Sequence, residues 1–224
     1  MLKTVVAIDG PAGSGKSSVS KQAARELGWG YLDTGAAYRA LTWATQNLPD
    51  FSIENLPSMD LPTAFDYAIG IDPDRYWVHV GGTDVTDAIR GAEVAEGVSQ
   101  VARIPEVRAY MKQLTRALVD ECPRAGIIVE GRDITTVVLP EANVRLLLTA
   151  SEEVRLKRRS AEIGQTDTQQ VARQVSQRDA SDAKVVDFMT PAQGVTLIDS
   201  SNLNFAETVA AVLETIANAT KEDH

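Results

Sequence analysis

The segment from Gly10 to Ser17 has the pattern Gly-x-x-x-x-Gly-Lys-Ser, and its neighbours limit what it can form. The apolar run Val5–Ile8 precedes it and predicts a buried strand. Residues 17–27 follow it and predict a helix that ends at Gly28. A strand, a glycine loop and a helix start form an anion site, because backbone N–H groups and the helix N-terminus supply positive potential. The pattern therefore predicts a phosphate-binding loop.

This loop predicts ATP and Mg²⁺ as the bound species. Lys16 can reach the β- and γ-phosphates, and the Ser17 hydroxyl can bind Mg²⁺. The other reading is a glycine-rich turn without a ligand, which the flanking strand and helix disfavour. The residues expected to surround the nucleotide phosphates are Gly10, Pro11, Ala12, Gly13, Ser14, Gly15, Lys16, Ser17 and Ser18.

Strand and helix patterns alternate along the chain, which predicts an α/β protein with a parallel sheet covered on both faces. The predicted strands are about Thr4–Ile8, Gly30–Leu32, Gly126–Glu130, Val144–Leu148 and Val195–Ile198. Helices are expected at 36–47 and after Asn204, where Glu207 completes a capping box.

The stretch at about 49–92 interrupts this alternation. Four prolines between Pro49 and Pro73 disfavour long helices there. Tyr76–Val80 alternates, Gly81-Gly82 forms a turn, and Asp84-Val85 follows as a second short strand. We therefore expect a small antiparallel β insertion on the parallel core.

Composition narrows the function class. The net charge of −9 argues against a general nucleic-acid binder or a membrane-surface protein, although a local arginine cluster can still hold an anionic ligand. No apolar run approaches a membrane span, and no signal segment precedes the first strand. Cys122 is the only cysteine, which suits a reducing cytosol. We expect a cytoplasmic monomer that acts on small molecules, with no nucleic-acid or membrane partner.

Polar and charged residues follow the second and third predicted strands, at the carboxyl edge of the sheet and beside the glycine loop. Thr34 and Arg39 come after the second strand, and Arg39 either holds a second anion or is a solvated helix arginine. Glu130 ends an apolar run, where a carboxylate needs a cation or water, and this suggests a role close to Mg²⁺. Arg132 and Asp133 are either a local ion pair, or a phosphate clamp beside a hydrogen-bond acceptor.

A basic helix is predicted after Ser151 and can end at Gly164, within a candidate lid at about 152–172. Arg155 and Arg159 share one face by i,i+4 spacing, and Arg178 and Asp182 lie on the next helix. The cluster is either a solvated face or a mobile lid that brings guanidinium groups over a transferring phosphoryl group. If the acceptor is itself a phosphate, no general base is needed, and the protein must neutralise two anions.

The chain resembles the bacterial cytidylate kinases, the (d)CMP kinases of the nucleoside monophosphate kinase group. The segments that carry this resemblance are Gly10–Ser18, Tyr31–Arg39, Gly82–Thr86, Ile89-Arg90, Val98–Ala102, Pro105–Arg108, Gly131–Ile134, and Arg178-Asp179 with Asp182. The resemblance implies a three-layer P-loop fold with a five-stranded parallel sheet, in one domain over 1–224, with an acceptor-binding insertion and a short helical lid. It also implies transfer from ATP to CMP and dCMP, with Mg²⁺, in pyrimidine metabolism.

By that likeness Ser99, Arg108 and Asp133 read cytosine, and Asp182 contacts the sugar. Thr34, Arg39, Arg132 and Arg178 hold the acceptor phosphate or its surroundings. The residues expected to act in catalysis are Lys16, Arg132, Arg155, Arg159 and Arg178.

Two departures from the family pattern affect these expectations. Asp182 is followed by Ala183, Lys184 and Val185, so the arginine usual there is missing, which predicts weaker phosphate or sugar contacts. Thr135 stands where the family usually has glycine. A kinase for UMP, AMP or shikimate, and a nucleotide-binding switch without an acceptor, are the competing functions.

Overall fold

The computed structural model describes residues 3–163 and 188–222, and its chain divides into two compact units. The first unit comprises residues 1–32 and 123–224, and the second comprises 33–122. Arg178, Asp182 and the predicted lid residues 164–172 lie outside the described residues. The expected single domain with an insertion at about 49–92 stays a prediction, and the second unit extends beyond those bounds at both ends.

The strands in chain order are β1 (Thr4–Asp9), β2 (Gly30–Asp33), β3 (Tyr67–Ile69), β4 (Val78–Val80), β5 (Thr83–Asp84), β6 (Gly126–Gly131), β7 (Val144–Thr149) and β8 (Thr196–Asp199). The helices are α1 (Lys16–Leu27), α2 (Thr34–Asn47), α3 (Leu61–Ala64), α4 (Ala92–Val101), α5 (Pro105–Glu121), α6 (Glu152–Ile163) and α7 (Phe205–Glu222). Short 3₁₀ turns occupy Leu56–Ser58 and Ala88–Arg90, and a π-helical turn occupies Ile134–Val138.

The first unit is built on a five-stranded parallel sheet with strand order β2-β6-β1-β7-β8, which confirms the predicted sheet. Its central strands pair in register, with Ile8 opposite both Glu130 and Leu146. Val6, Ala7 and Ile8 of β1 are completely buried, as are Ile127–Val129 of β6. Each fully buried valine or isoleucine contributes about 1.5–3 kcal/mol, which favours these apolar runs as central strands covered on both faces.

Helix boundaries in the first unit agree with the sequence signals. Helix α1 ends at Gly28, whose N–H bonds the carbonyls of Ala24 and Arg25. Helix α7 begins after a reciprocal capping box: Glu207 N donates to Asn204 Oδ1 at 3.0 Å, and Asn204 N donates to Glu207 Oε2 at 2.8 Å. Helix α1 packs against β6 and α7, which places the loop between β1 and α1 at the carboxyl edge of the sheet.

The second unit has an antiparallel sheet of order β3-β4-β5. The turn at Gly81-Gly82 joins β4 to β5, as the sequence predicted. Strand β3 has no sequence signal, because an alternating pattern cannot be recognised over three residues. Helices α2, α4 and α5 carry Arg39, Ser99 and Arg108, and α2 packs on α4, α5 and β4. No helix in the described ranges is both long and apolar enough to cross a membrane.

Candidate functional site

The loop between β1 and α1 has a backbone that only glycine permits at its critical points. Gly13 and Gly15 have φ values of 74° and 87°, in the left-handed region that L side chains rarely adopt. A Cβ atom at Gly10 would collide with the Leu148 carbonyl oxygen, and one at Gly13 with the carbonyl oxygen of Arg155. The loop is therefore held tightly between β7 and α6, which requires the small residues of the pattern.

Three arginines bind carbonyl oxygens of this loop. Arg132 Nη1 donates to Gly10 O at 3.1 Å, Arg155 Nη1 to Ala12 O at 3.0 Å, and Arg158 Nη1 to Ser14 O at 3.0 Å. These bonds fix alternate carbonyls and surround the loop with positive charge. The geometry favours an anion at the remaining N–H groups, which include those of the first turn of α1. That turn has no side-chain cap and no acidic residue.

Lys16 lies over a buried carboxylate. Its Nζ atom is 3.9 Å from Oε2 of Glu130, which is 2% exposed and also accepts a 3.0 Å hydrogen bond from the Tyr31 hydroxyl. At 3.9 Å the ammonium group is close enough for attraction but not for a short hydrogen bond. Lys16 is thus held near Glu130 by electrostatic attraction, directly after the glycine loop.

Asp9, the last residue of β1, joins the loop to the segment after β6. Its carboxylate accepts from Ile134 N at 2.9 Å, Thr135 N at 2.8 Å and Thr135 Oγ1 at 2.6 Å. Burial raises the pKa of Asp9 above its ordinary value, while these three hydrogen bonds act in the opposite direction. The carboxylate thus accepts three hydrogen bonds from the segment after β6, which makes it a structural link between that segment and the loop.

A groove of about 250 Å³ opens beside the loop. It is lined by Gly13, Gly15, Ser18, Val19, Arg158, Phe205 and Thr208. Phe205 is 52% exposed, which is high for an aromatic side chain, and Arg158 also binds the carbonyls of Ser200 and Leu203. The groove therefore presents an aromatic ring and a guanidinium group next to the phosphate-binding backbone.

The residues present fit a magnesium ion that is held mainly by substrate. Ser17 is exposed on the first turn of α1, directly after Lys16. Among residues 3–163 and 188–222, no group of three or more His, Cys, Asp or Glu side chains could hold a metal by itself. Mg²⁺ in nucleotide sites keeps several waters and binds substrate phosphates, so the Ser17 hydroxyl would be one ligand among these.

In the second unit, Asp33 and Arg39 form a close pair. Arg39 Nη2 lies 2.6 Å from Asp33 Oδ2, while Asp33 Oδ1 caps α2 by accepting from Ala36 N at 3.2 Å. The Tyr76 hydroxyl is 3.5 Å from the same Oδ2 atom. Arg39 is therefore held by a residue at the end of β2, and Thr34 is buried beside it at the start of α2.

The remaining predicted site residues lie in described elements. Ser99 and Arg108, on α4 and at the start of α5, are partly exposed. Arg132 and Asp133 directly follow β6, and Arg132 also lies 4.5 Å from the ring centroid of Phe188. Arg159 is on α6 and partly exposed, whereas the Arg155 side chain is buried against the loop. Arg178 and Asp182 are outside the described residues.

Four residues at these sites are not among the site residues predicted from the sequence: Arg158, Asp9, Thr135 and Tyr76. Arg158 and Arg159 come three and four residues after Arg155, and both spacings allow a side chain on the face of Arg155, so spacing alone does not select Arg158. Asp9 and Thr135 are far apart in sequence and meet only because β1 pairs with β6. Tyr76 belongs to an alternating run that predicts a strand, and strand alternation carries no information about the partner of a hydroxyl group.

A model of the family described as "Cytidylate kinase" matches residues 6–218. The chain is 40% identical to a cytidylate kinase of Streptomyces avermitilis over 93% of this chain and 90% of the relative. It is 41% identical to the cytidylate kinase of Cutibacterium acnes, over 95% of each chain. A cytidylate kinase of Mycobacterium leprae is 40% identical over 96% of each chain. The sequence similarity to these cytidylate kinases thus extends over both compact units of the chain.

Solved structures agree on the fold. A Thermus thermophilus protein superposes with a TM-score of 0.50 at 20% identity, over 97% of this chain and 98% of the other. An uncharacterized protein from Eubacterium ventriosum superposes with a TM-score of 0.55 at 11% identity, over 96% and 99%. At these identities the comparison shows fold alone.

Proposed function

The chain belongs to the cytidylate kinase family, and from this premise we propose that it transfers the γ-phosphoryl group of ATP to CMP and dCMP. The products are ADP and CDP or dCDP, in pyrimidine nucleotide metabolism. We propose further that it works as a cytoplasmic monomer on small-molecule substrates, without nucleic-acid or membrane partners.

The observation that carries the proposal is the loop whose Gly10, Ala12 and Ser14 carbonyls are bound by three arginines. This arrangement supports a donor bearing several adjacent phosphates, because a single phosphate would not need the loop, Lys16 and the surrounding arginines together. The groove with Phe205 and Arg158 supports a flat base on the same donor, since aromatic and guanidinium faces both stack on bases. ATP meets these requirements.

The acceptor half of the proposal follows the resemblance to the cytidylate kinases. Thr34, Arg39, Arg132 and Arg178 would hold the acceptor phosphate, and Asp182 would contact its sugar. Ser99, Arg108 and Asp133 would read cytosine: a carboxylate accepts from the exocyclic amine, and a guanidinium donates to acceptors on the same edge. Arg39 is supported most directly, because its close pairing with Asp33 fixes the guanidinium before a ligand binds.

The reaction needs positioning and charge neutralisation more than proton transfer. An oxygen of the acceptor phosphate attacks the γ-phosphorus of ATP, the bond to the β-phosphate oxygen breaks, and ADP leaves. The attacking oxygen is already ionised, so no general base is required. Lys16, with Arg132, Arg155, Arg159 and Arg178, would stabilise negative charge on the transferring group. Mg²⁺, held at Ser17 and by the phosphates, would supply additional Lewis-acid stabilisation when bound.

A coupled assay of ADP release tests the proposal, with CMP, dCMP, UMP, AMP and shikimate as acceptors. We expect turnover to be highest with CMP and dCMP, and very slow without an acceptor. Equal rates with all nucleotides would overturn the specificity. ADP release that ignores every acceptor would indicate a nucleotide-binding switch. The Lys16→Ala variant is the inactive control.

A further inference from the structure

A tyrosine hydroxyl in the second unit is buried and has no partner among the described residues. Tyr67 is the first residue of β3, and its ring stacks on Phe65 with 5.4 Å between centroids. Its hydroxyl oxygen is excluded from solvent and makes no hydrogen bond within the described ranges. A buried hydroxyl without a partner costs stability, and phenylalanine would fill the same space without that cost. The hydroxyl therefore needs an explanation.

The Tyr67 hydroxyl has charged and phenolic groups as neighbours. Asp33 and Arg39 are near enough to influence its ionisation, as are Tyr76 and Tyr110. Burial is the main reason that the pKa of Tyr67 lies well above its ordinary value, and the neighbouring tyrosines and Asp33 act in the same direction. The hydroxyl is thus neutral at physiological pH and keeps its proton to donate. The Tyr67 hydroxyl is therefore a hydrogen-bond donor near the ion pair of Asp33 and Arg39.

We propose that the Tyr67 hydroxyl binds the acceptor nucleotide, by donating to a phosphate oxygen beside Arg39. This inference rests on the proposed function, since it assumes that Arg39 faces the acceptor phosphate. An ionised phosphate oxygen is a stronger acceptor than water, and a hydrogen bond to it gains from the low local polarity of a buried site. The free energy lost by leaving the hydroxyl unpaired in the free protein is recovered when the acceptor binds.

The test compares Tyr67→Phe with the unaltered full chain by calorimetric titration with CMP and with cytidine. We expect CMP to bind about 10-fold more weakly or worse, the range for a lost hydrogen bond to a charged group, while cytidine binding and the KM for ATP stay unchanged. The unliganded variant should melt at the same temperature or higher, because it no longer buries an unpaired hydroxyl. Tyr110→Phe is the matched control, since its half-buried ring contacts the same Phe65.

Each other outcome overturns the inference in a distinguishable way. Equal weakening of CMP and cytidine would assign the hydroxyl to the sugar or base instead of the phosphate. Unchanged CMP affinity with a lower melting temperature would assign it to an internal water with a structural role. Failure of the unaltered protein to bind CMP would remove the proposed function itself, and this inference with it.

Discussion

The hydroxyl of Thr135 donates a 2.6 Å hydrogen bond to Oδ2 of Asp9 across 126 residues of sequence. Asp9 immediately precedes the phosphate-binding loop, and Thr135 comes two residues after Asp133. The bond therefore joins the proposed donor site to the segment that carries Arg132 and Asp133. Thr135 stands where the resembling family usually has glycine, so this chain has a side-chain hydrogen bond that a glycine cannot make.

Thr135→Val should destabilise the protein in a pH-dependent way. Valine keeps the shape but removes a hydrogen bond that lowers the pKa of Asp9, so that pKa rises further. A group with a raised pKa contributes its full stability below its ordinary value of 3.8 and loses it as the pH rises through the folded-state pKa. We expect a deficit of about 1.5–3 kcal/mol at pH 7, shrinking toward pH 4.

Urea unfolding at several pH values measures this deficit. Thr135→Ser is the matched control, because serine keeps the hydroxyl and loses only a methyl group. A deficit that is the same at pH 4 and pH 7 would show that the hydrogen bond to the ionised carboxylate is not its source.

Lys16→Met should abolish phosphoryl transfer and leave the fold intact. The Lys16 side chain is only 15% exposed, and its Nζ atom lies 3.9 Å from Oε2 of Glu130, so the change removes the cation that the proposal assigns to the transferring phosphates. We expect kcat to fall by about 10³-fold, with a circular dichroism spectrum like that of the unaltered protein. Lys157→Met, at an exposed position of α6, is the control, and turnover within tenfold of normal in Lys16→Met would contradict the site assignment.

Arg158→Met should weaken ATP binding more than CMP binding. Arg158 binds the Ser14 carbonyl and the segment of Ser200 and Leu203, and it lines the groove beside the loop. Losing these contacts frees both the loop and the chain before α7. We expect the KM for ATP to rise about tenfold, the equivalent of about 1.4 kcal/mol, while the KM for CMP changes little. A rise in the KM for CMP alone would place Arg158 on the acceptor side.

Asp133→Ala should change acceptor preference more than overall stability. If the carboxylate accepts from the exocyclic amine of cytosine, its removal costs CMP a charge-assisted hydrogen bond that UMP never makes. We expect the ratio of kcat/KM for CMP over UMP to fall by about 10–100-fold. Assays with both nucleotides measure it, and an equal loss for both would show that Asp133 does not read the base.

In the described part of the fold, the features that could be predicted are those in which a local residue pattern is compatible with a single structure. The glycine loop, the buried run of β1, the Gly28 stop and the capping box before α7 all depend on local chemistry. β3 was missed because it is three residues long and becomes a strand only by pairing with β4. Helical spacing groups Arg155 with Arg159. In the structure, Arg155 and Arg158 donate hydrogen bonds to carbonyl oxygens of the loop.

Residue patterns along the chain are enough to predict the phosphate-binding loop, the α/β class and the family, because these depend on neighbouring residues or on a pattern over the whole chain. The surroundings of Thr135 and Tyr67 depend instead on how distant segments pack. Parallel pairing of β1 with β6 brings Thr135 to Asp9, and the packing of β3 encloses the Tyr67 hydroxyl. Side-chain contacts of this kind depend on the packing of distant segments to within a few tenths of an ångström, which no spacing along the chain specifies.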